Sequence, residues 1–193
     1  MRLGIFGGSF DPPHLGHLLA AIDAFEQLRL DRLVFVPAAV QPLKAVGAGA
    51  SSAQRMRMLA AMIGDDPRFA LDPVEIDREG LSFTVDTLTT FAGRFPDAER
   101  FFLVGADVLA TFANWRQPER VVKLARLVVL RRHGDDLPTL PPAASAGEPL
   151  LLDTRRIDVS STEIRARARD GKSLRGFVPD AVAACIEAGG LYR

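Results

Sequence analysis

Arg2-Leu3-Gly4-Ile5-Phe6-Gly7-Gly8-Ser9-Phe10-Asp11-Pro12-Pro13-His14-Leu15-Gly16-His17 passes from a short apolar stretch, through glycines and prolines, into a helical pattern. Leu3 to Phe6 reads as a short buried strand. From His14 onward, apolar residues recur at 15, 18, 19, 22, 25 and 28, the spacing of one helix face. Leu33-Val34-Phe35-Val36-Pro37 is the next strand, so the chain opens as β-loop-α-β. The unit recurs. A helix over roughly 53–63 precedes a strand around Ala70 to Ile76, and a helix from about Asp86 to Arg94 precedes the strand Phe101-Phe102-Leu103-Val104. A helix near 117–124 then leads to the strand Leu127-Val128-Val129-Leu130. A last strand near Leu150 to Asp153 runs into two short helices, about 161–170 and 180–188, separated by Gly171 and Pro179. Such alternation predicts an α/β fold: a doubly wound, mostly parallel Rossmann-like sheet with helices on both faces. One domain over 1–193 is expected, with a small helical segment, about 160–193, packed on it.

The composition bounds the function. The 193 residues carry 24 Lys+Arg against 24 Asp+Glu, with 48% hydrophobic and 25% charged residues, which suits a chain that buries a continuous core. Zero formal charge argues against a protein that coats nucleic acid or an anionic membrane, so any anion site must be built locally. No stretch approaches the ~18 apolar residues of a membrane span, and the apolar start is too short and too broken by glycine for a secretory signal. A cytoplasmic protein is expected. Cys185, the one cysteine, excludes an internal disulfide or thiolate cluster and lies in an apolar helical stretch, where it reads as a small buried hydrophobe. Lys44–Ser52 and Asp135–Pro149, rich in small residues, glycine and proline, read as mobile surface loops. An apolar helix face looks the same in a core as in a dimer, which leaves a homo-oligomer possible.

Ligands of doubly wound sheets bind beyond the carboxyl ends of the strands, which is where the segment 7–17 falls. Gly7 and Gly8 let main-chain N–H groups approach a phosphate, and His14 and His17 project from nearly one face of a helix start whose dipole favours an anion. Two of only three histidines in one short turn point to function rather than punctuation. The second constellation is Asp158-Val159-Ser160-Ser161-Thr162-Glu163-Ile164-Arg165. Ser160 and Glu163 form a capping box, while Ser161, Thr162 and Arg165 gather two hydroxyls and a guanidinium on the first turn, where they can hold a polyphosphate. Both readings can hold together.

The first segment resembles the glycine-glycine-x-phenylalanine-aspartate-proline signature, ending in histidine-x-glycine-histidine, of the nucleotidyltransferase α/β-phosphodiesterase superfamily. Val159 to Arg165 resembles its isoleucine-serine-serine-threonine-x-x-arginine motif. Between them Ser82-Phe83-Thr84-Val85-Asp86-Thr87-Leu88, Gly105-Ala106-Asp107, Trp115 and Val129-Leu130-Arg131-Arg132 are similar to segments of bacterial nicotinate-mononucleotide adenylyltransferases. The likeness runs from Arg2 to Gly190-Leu191-Tyr192.

That resemblance implies adenylyl transfer from ATP to nicotinate mononucleotide, giving deamido-NAD and pyrophosphate in NAD biosynthesis, with Mg2+ held mainly by the ATP phosphates. It implies His14 and His17 as the catalytic pair around the reacting phosphates. Gly7, Gly8, Ser9, Lys44, Gly105, Asp107, Arg132, Ser161, Thr162 and Arg165 would bind nucleotide and phosphate. Phe83, Thr84 and Trp115 would bind nicotinate mononucleotide, with Trp115 stacking on the pyridine ring and Thr84 capping a helix that starts near Val85. Buried packing is the alternative for Trp115. Gln41 and Leu43 depart from the family's proline-proline-histidine-lysine segment before Lys44, and Phe83 stands where a tyrosine is common. Another adenylyltransferase with a phosphopantetheine acceptor is disfavoured by His14, where that family carries threonine. A non-catalytic nucleotide sensor is disfavoured by the presence of both histidines and Arg165.

Overall fold

The computed structural model describes residues 1–40, 49–132, 134, 141–145 and 147–193, without the side chains of Asp107, Arg132 and Ser145. The strands are β1 (Arg2–Gly8), β2 (Arg32–Pro37), β3 (Phe69–Leu71), β4 (Glu99–Gly105), β5 (Arg126–Arg132) and β6 (Leu150–Thr154). They form one parallel sheet in the order β3-β2-β1-β4-β5-β6. This is the doubly wound order, and its reversal lies between β1 and β4. The helices are α1 (Leu15–Gln27), α2 (Ser52–Ile63), α3 (Val74–Arg78), α4 (Thr84–Arg94), α5 (Ala106–Leu109), α6 (Pro118–Leu124), α7 (Pro142–Ser145), α8 (Ser161–Arg169) and α9 (Asp180–Ala188).

The pleat sends alternate side chains to opposite faces, and both faces are covered, so the central strands read as unbroken apolar runs. Phe6, Phe35, Phe101, Leu103 and Val128 meet Ala21 and Ala24 of α1, Met58 and Leu59 of α2 and Val182 of α9 on one face. Leu3, Ile5, Phe102, Leu127 and Val129 meet Val85 and Leu88 of α4, Leu109 of α5 and Val121 of α6 on the other. The α1 stripe read from the sequence is corrected: Ala21 and Ala24, small residues outside it, face the sheet most closely with Leu28, while Leu18, Ile22 and Phe25 pack half-buried beside them.

The expected strand from Ala70 to Ile76 is corrected. It stops at Leu71, and Val74–Arg78 is the helix α3 with Pro73 at its N-cap. Proline has no N–H for a further ladder bond and favours a helix start, and the Asp72 carboxylate accepts from the Val74 N–H at 3.0 Å. The loop expectation for Asp135–Pro149 is also revised in part: α7 lies inside it, and Ala144 is fully buried against the second core.

The rings of Phe6, Phe10 and Phe69 surround Phe35 at centroid distances of 5.6, 5.7 and 5.7 Å, tying the core directly to the signature loop. Removing a buried Phe ring costs roughly 3–5 kcal/mol, whereas surface changes stay within about 0.5 kcal/mol. Phe35→Ala is expected to lose stability on the larger scale in urea unfolding, and Leu151→Ala, on an exposed edge position, to stay near wild type. Equal midpoints for the two variants would contradict this core assignment.

Candidate functional site

The residues at the carboxyl ends of β1 and β4 flank the order reversal, where Gly7-Gly8 and Gly105 sit. The chain from Ser9 to Pro13 then crosses to α1. Gly8 is bare because Phe10 folds back over it: a Cβ there would lie 3.0–3.2 Å from the ring. Phe10 reaches that place with φ of +48° and is 1% exposed. Its ring in turn meets the His17 imidazole edge-on at 5.0 Å.

His14 and His17 are brought together. Their rings stack at 3.7 Å, and the His14 main-chain N–H donates to Nδ1 of His17 at 3.3 Å. Acceptance at Nδ1 places the ring proton of the neutral imidazole on Nε2. Gly16 leaves room for this pair, since a Cβ there would come within 3.0 Å of His14 Nδ1. His14 is buried, and His17 is half-buried beside it.

The loop's carbonyls are held from far along the chain. Arg55 Nη1 donates to Ser9 O at 2.8 Å, Arg165 Nη1 to Asp11 O at 2.7 Å and Ser161 Oγ to Pro12 O at 2.9 Å. Ser160 caps α8 by accepting from the Glu163 N–H at 3.1 Å, which is the serine half of the expected capping box. Arg165 Nη2 also donates to Thr162 Oγ1 at 3.1 Å. The two motifs are thus one unit, with the second bracing the first. The Asp11 carboxylate accepts at Oδ1 from Ala50 N–H at 2.9 Å and Tyr192 O–H at 2.7 Å.

Arg55 and Tyr192 were not among the expected site residues. Arg55 is 6% exposed, on the same α2 face as Met58, Leu59 and Met62. That spacing is the signal: an arginine at a core position of an amphipathic helix requires partners. Burial pushes its pKa below the ordinary value while Asp11 and Tyr192 pull it back up. Burial, with the Asp11 bond second, raises the Tyr192 hydroxyl far above its ordinary range, so it is a fixed donor.

Thr84 is corrected: it is the first residue of α4, not its cap. Phe83 occupies the N-cap, and its apolar side chain makes no hydrogen bond to the first turn. Neighbouring Ser82 is already used, its Oγ accepting from Ala39 N–H at 2.8 Å. The Arg116 guanidinium lies 4.9 Å from the Phe83 ring centroid and 3.4 Å from Asp86 Oδ2. Trp115 is half-buried against Phe112 and Phe102, its Nε1 donating to Thr111 Oγ1 at 3.1 Å. Lys44 lies outside the described residues, as do the side chains of Asp107, on α5, and Arg132, at the end of β5. Among the described residues, no group of three His, Cys, Asp or Glu side chains is placed to hold a metal ion.

A family model described as cytidylyltransferase-like matches residues 5–167. A protein of Gemmatimonas aurantiaca, named "probable nicotinate-nucleotide adenylyltransferase", is 52% identical over 198 residues, covering 100% of this chain and 93% of its own. The chain belongs to the nicotinate-nucleotide adenylyltransferase family. A Thermus thermophilus member of the same name is 46% identical over 193 residues, covering all of both chains. The fold matches that of Plasmodium falciparum nicotinic acid mononucleotide adenylyltransferase, solved with NaAD, at a TM-score of 0.77 and 19% identity, over 99% of this chain and 97% of that one. No helix among the described residues is long and apolar enough to cross a membrane.

Asp11 also limits its neighbours. A Cβ on Gly49 would lie 1.9 Å from Asp11 Oδ2, and Asp11 is pinned at Oδ1, so it moves only by breaking those bonds. Gly93, inside α4, has nothing within 4 Å of its would-be Cβ. Gly49→Ala is expected to destabilise by about 1–3 kcal/mol, and Gly93→Ala to stabilise by about 0.4–1 kcal/mol. Urea midpoints that move the same way for both would overturn the placement of Asp11.

Proposed function

We propose that the chain transfers the adenylyl group of ATP to nicotinate mononucleotide, giving nicotinate adenine dinucleotide and pyrophosphate in NAD biosynthesis. The observation that carries this is the stacked His14–His17 pair at the start of α1, beside the reversal of strand order. We take 1–193 as one such domain, working in the cytoplasm without nucleic acid or membrane.

A phosphate monoester has a second pKa near ~6, so the acceptor is largely dianionic at neutral pH and needs no base to activate it. Its oxygen attacks the α-phosphorus of ATP, the bond from that phosphorus to the bridging oxygen breaks, and pyrophosphate leaves with the electron pair. The work of the site is to align two anions and to meet the charge growing on the leaving group. Donors supply this. In our assignment His17 donates from Nε2, beside His14, and the N–H groups of Gly7, Gly8 and Ser9 line the phosphate path. Arg165 and the Thr162 hydroxyl hold the outer phosphates, joined by Lys44, Arg132 and the main-chain N–H of Ser161, whose hydroxyl proton goes to Pro12 O. Gly105 and Asp107 meet the ribose, and Trp115 stacks on the pyridine. Magnesium enters as part of the substrate, chelated by the ATP phosphates, as that ion commonly does.

The first turn of α4, at Thr84 and not capped by the Phe83 side chain, suits the nicotinate carboxylate, because main-chain N–H groups there can only donate. The amide of the nicotinamide analogue would meet them donor to donor. A mispaired polar group costs about 1–3 kcal/mol, a preference of roughly tenfold to a hundredfold for the acid. Mass identification of the product from MgATP with each mononucleotide, with kcat/KM for both, tests the reading. Nicotinate adenine dinucleotide with that preference is expected; no dinucleotide would overturn the function, and equal kcat/KM would overturn the role of α4.

A hydrogen bond to a charged partner is worth about 1.5–3 kcal/mol, so His17→Ala is expected to lower kcat roughly tenfold to a hundredfold. Its circular dichroism should match wild type. Undiminished turnover would remove His17 from the reaction.

A further inference from the structure

The reaction leaves Tyr192 without a role, yet its hydroxyl reaches across the fold to the signature loop, 181 residues earlier in sequence. Nothing local requires this. Leu191 is buried in the first core and its N–H bonds Ile186 O at 3.0 Å, which fixes the turn after α9. Gly190 and Tyr192 then take positive φ, +56° and +65°, and the second of these is an uncommon conformation for a residue with a large side chain. The turn is bent so that the hydroxyl reaches Asp11. Strain of this kind persists only where surrounding contacts fix it, and it clusters at functional sites.

Asp11 is the one carboxylate between Gly7 and His17, a segment that otherwise offers N–H groups, a hydroxyl and two imidazoles. A negative charge free to swing there would oppose the nucleotide phosphates. Its Oδ1 is tied by Tyr192 and by Ala50 N–H, and Oδ2 lies against the bare Cα of Gly49. We propose that Tyr192 is a positioning residue for adenylyl transfer: its hydroxyl holds the Asp11 carboxylate against Gly49 and Ala50, so that the loop presents donors to the ATP phosphates. The two bonds to Oδ1 together join three distant segments, residues 11, 50 and 192, and so set where the chain enters α2.

This inference rests on the function proposed above. Its test is a cycle of Tyr192→Phe, Asp11→Asn and the double variant, assayed with MgATP and nicotinate mononucleotide. Tyr192→Phe keeps the ring and its packing. It is expected to lower kcat/KM for ATP about tenfold, the weight of one hydrogen bond to a carboxylate, while KM for nicotinate mononucleotide is unchanged. In the Asp11→Asn background, where there is no charge to restrain, the same substitution is expected to change kcat/KM by less than about twofold. Exchange of the Ala50 amide with deuterium, read by NMR, is expected to speed up in Tyr192→Phe, which checks the clasp even where stability falls. Unchanged kcat/KM for ATP in Tyr192→Phe, equal losses in both backgrounds, or an unaltered Ala50 amide would overturn the proposal. A wild-type protein that makes no dinucleotide refutes the function itself; an active wild type matched by Tyr192→Phe refutes only this inference.

Discussion

The main-chain carbonyls of Ser9, Asp11 and Pro12 belong to no strand or helix, and the site depends on how they are paired. An unpaired buried carbonyl costs about 1–3 kcal/mol, so a loop of this kind would otherwise collapse or find water. Here Arg55, Arg165 and Ser161 supply the donors, from helices that begin 40 or more residues later. The cost of ordering the loop is met on folding instead of at each encounter with substrate. That is the preorganisation that electrostatic catalysis requires.

This pairing changes what the second motif means. From the sequence alone, Ser161, Thr162 and Arg165 look like phosphate ligands at a helix start. In the fold Ser161 and Arg165 bond the loop's backbone, and Arg165 also reaches Thr162. A guanidinium carries five N–H donors, so a clamp on Asp11 O does not exhaust it. Bracing and binding are compatible, and a residue that does both ties loop geometry to the presence of nucleotide.

The fold was largely legible because parallel strands buried on both faces must be apolar throughout, and β1, β2, β4 and β5 show it. β3 was overextended because Val74 and Ile76 are strand-favouring residues. One proline outweighed them. The helices α3, α5 and α7, with five, four and four residues, are too short for a period to register. At the site, the histidine pair was legible as a motif, but its stacking depends on side-chain rotamers that the sequence does not specify. Arg55 was readable in principle, from its place on an apolar stripe. Tyr192 was not: no local pattern announces a partner so distant in sequence.

Arg55 isolates the central claim, because its donors go to Ser9 O and Ser52 Oγ, inside the fold, and it is not among the proposed nucleotide contacts. The deciding measurement is kcat/KM for ATP in Arg55→Met, taken well below the variant's melting temperature. If carbonyl pairing preorganises the site, the value falls by at least about tenfold although every proposed phosphate-binding residue is retained. A folded Arg55→Met enzyme with the wild-type value would contradict the account.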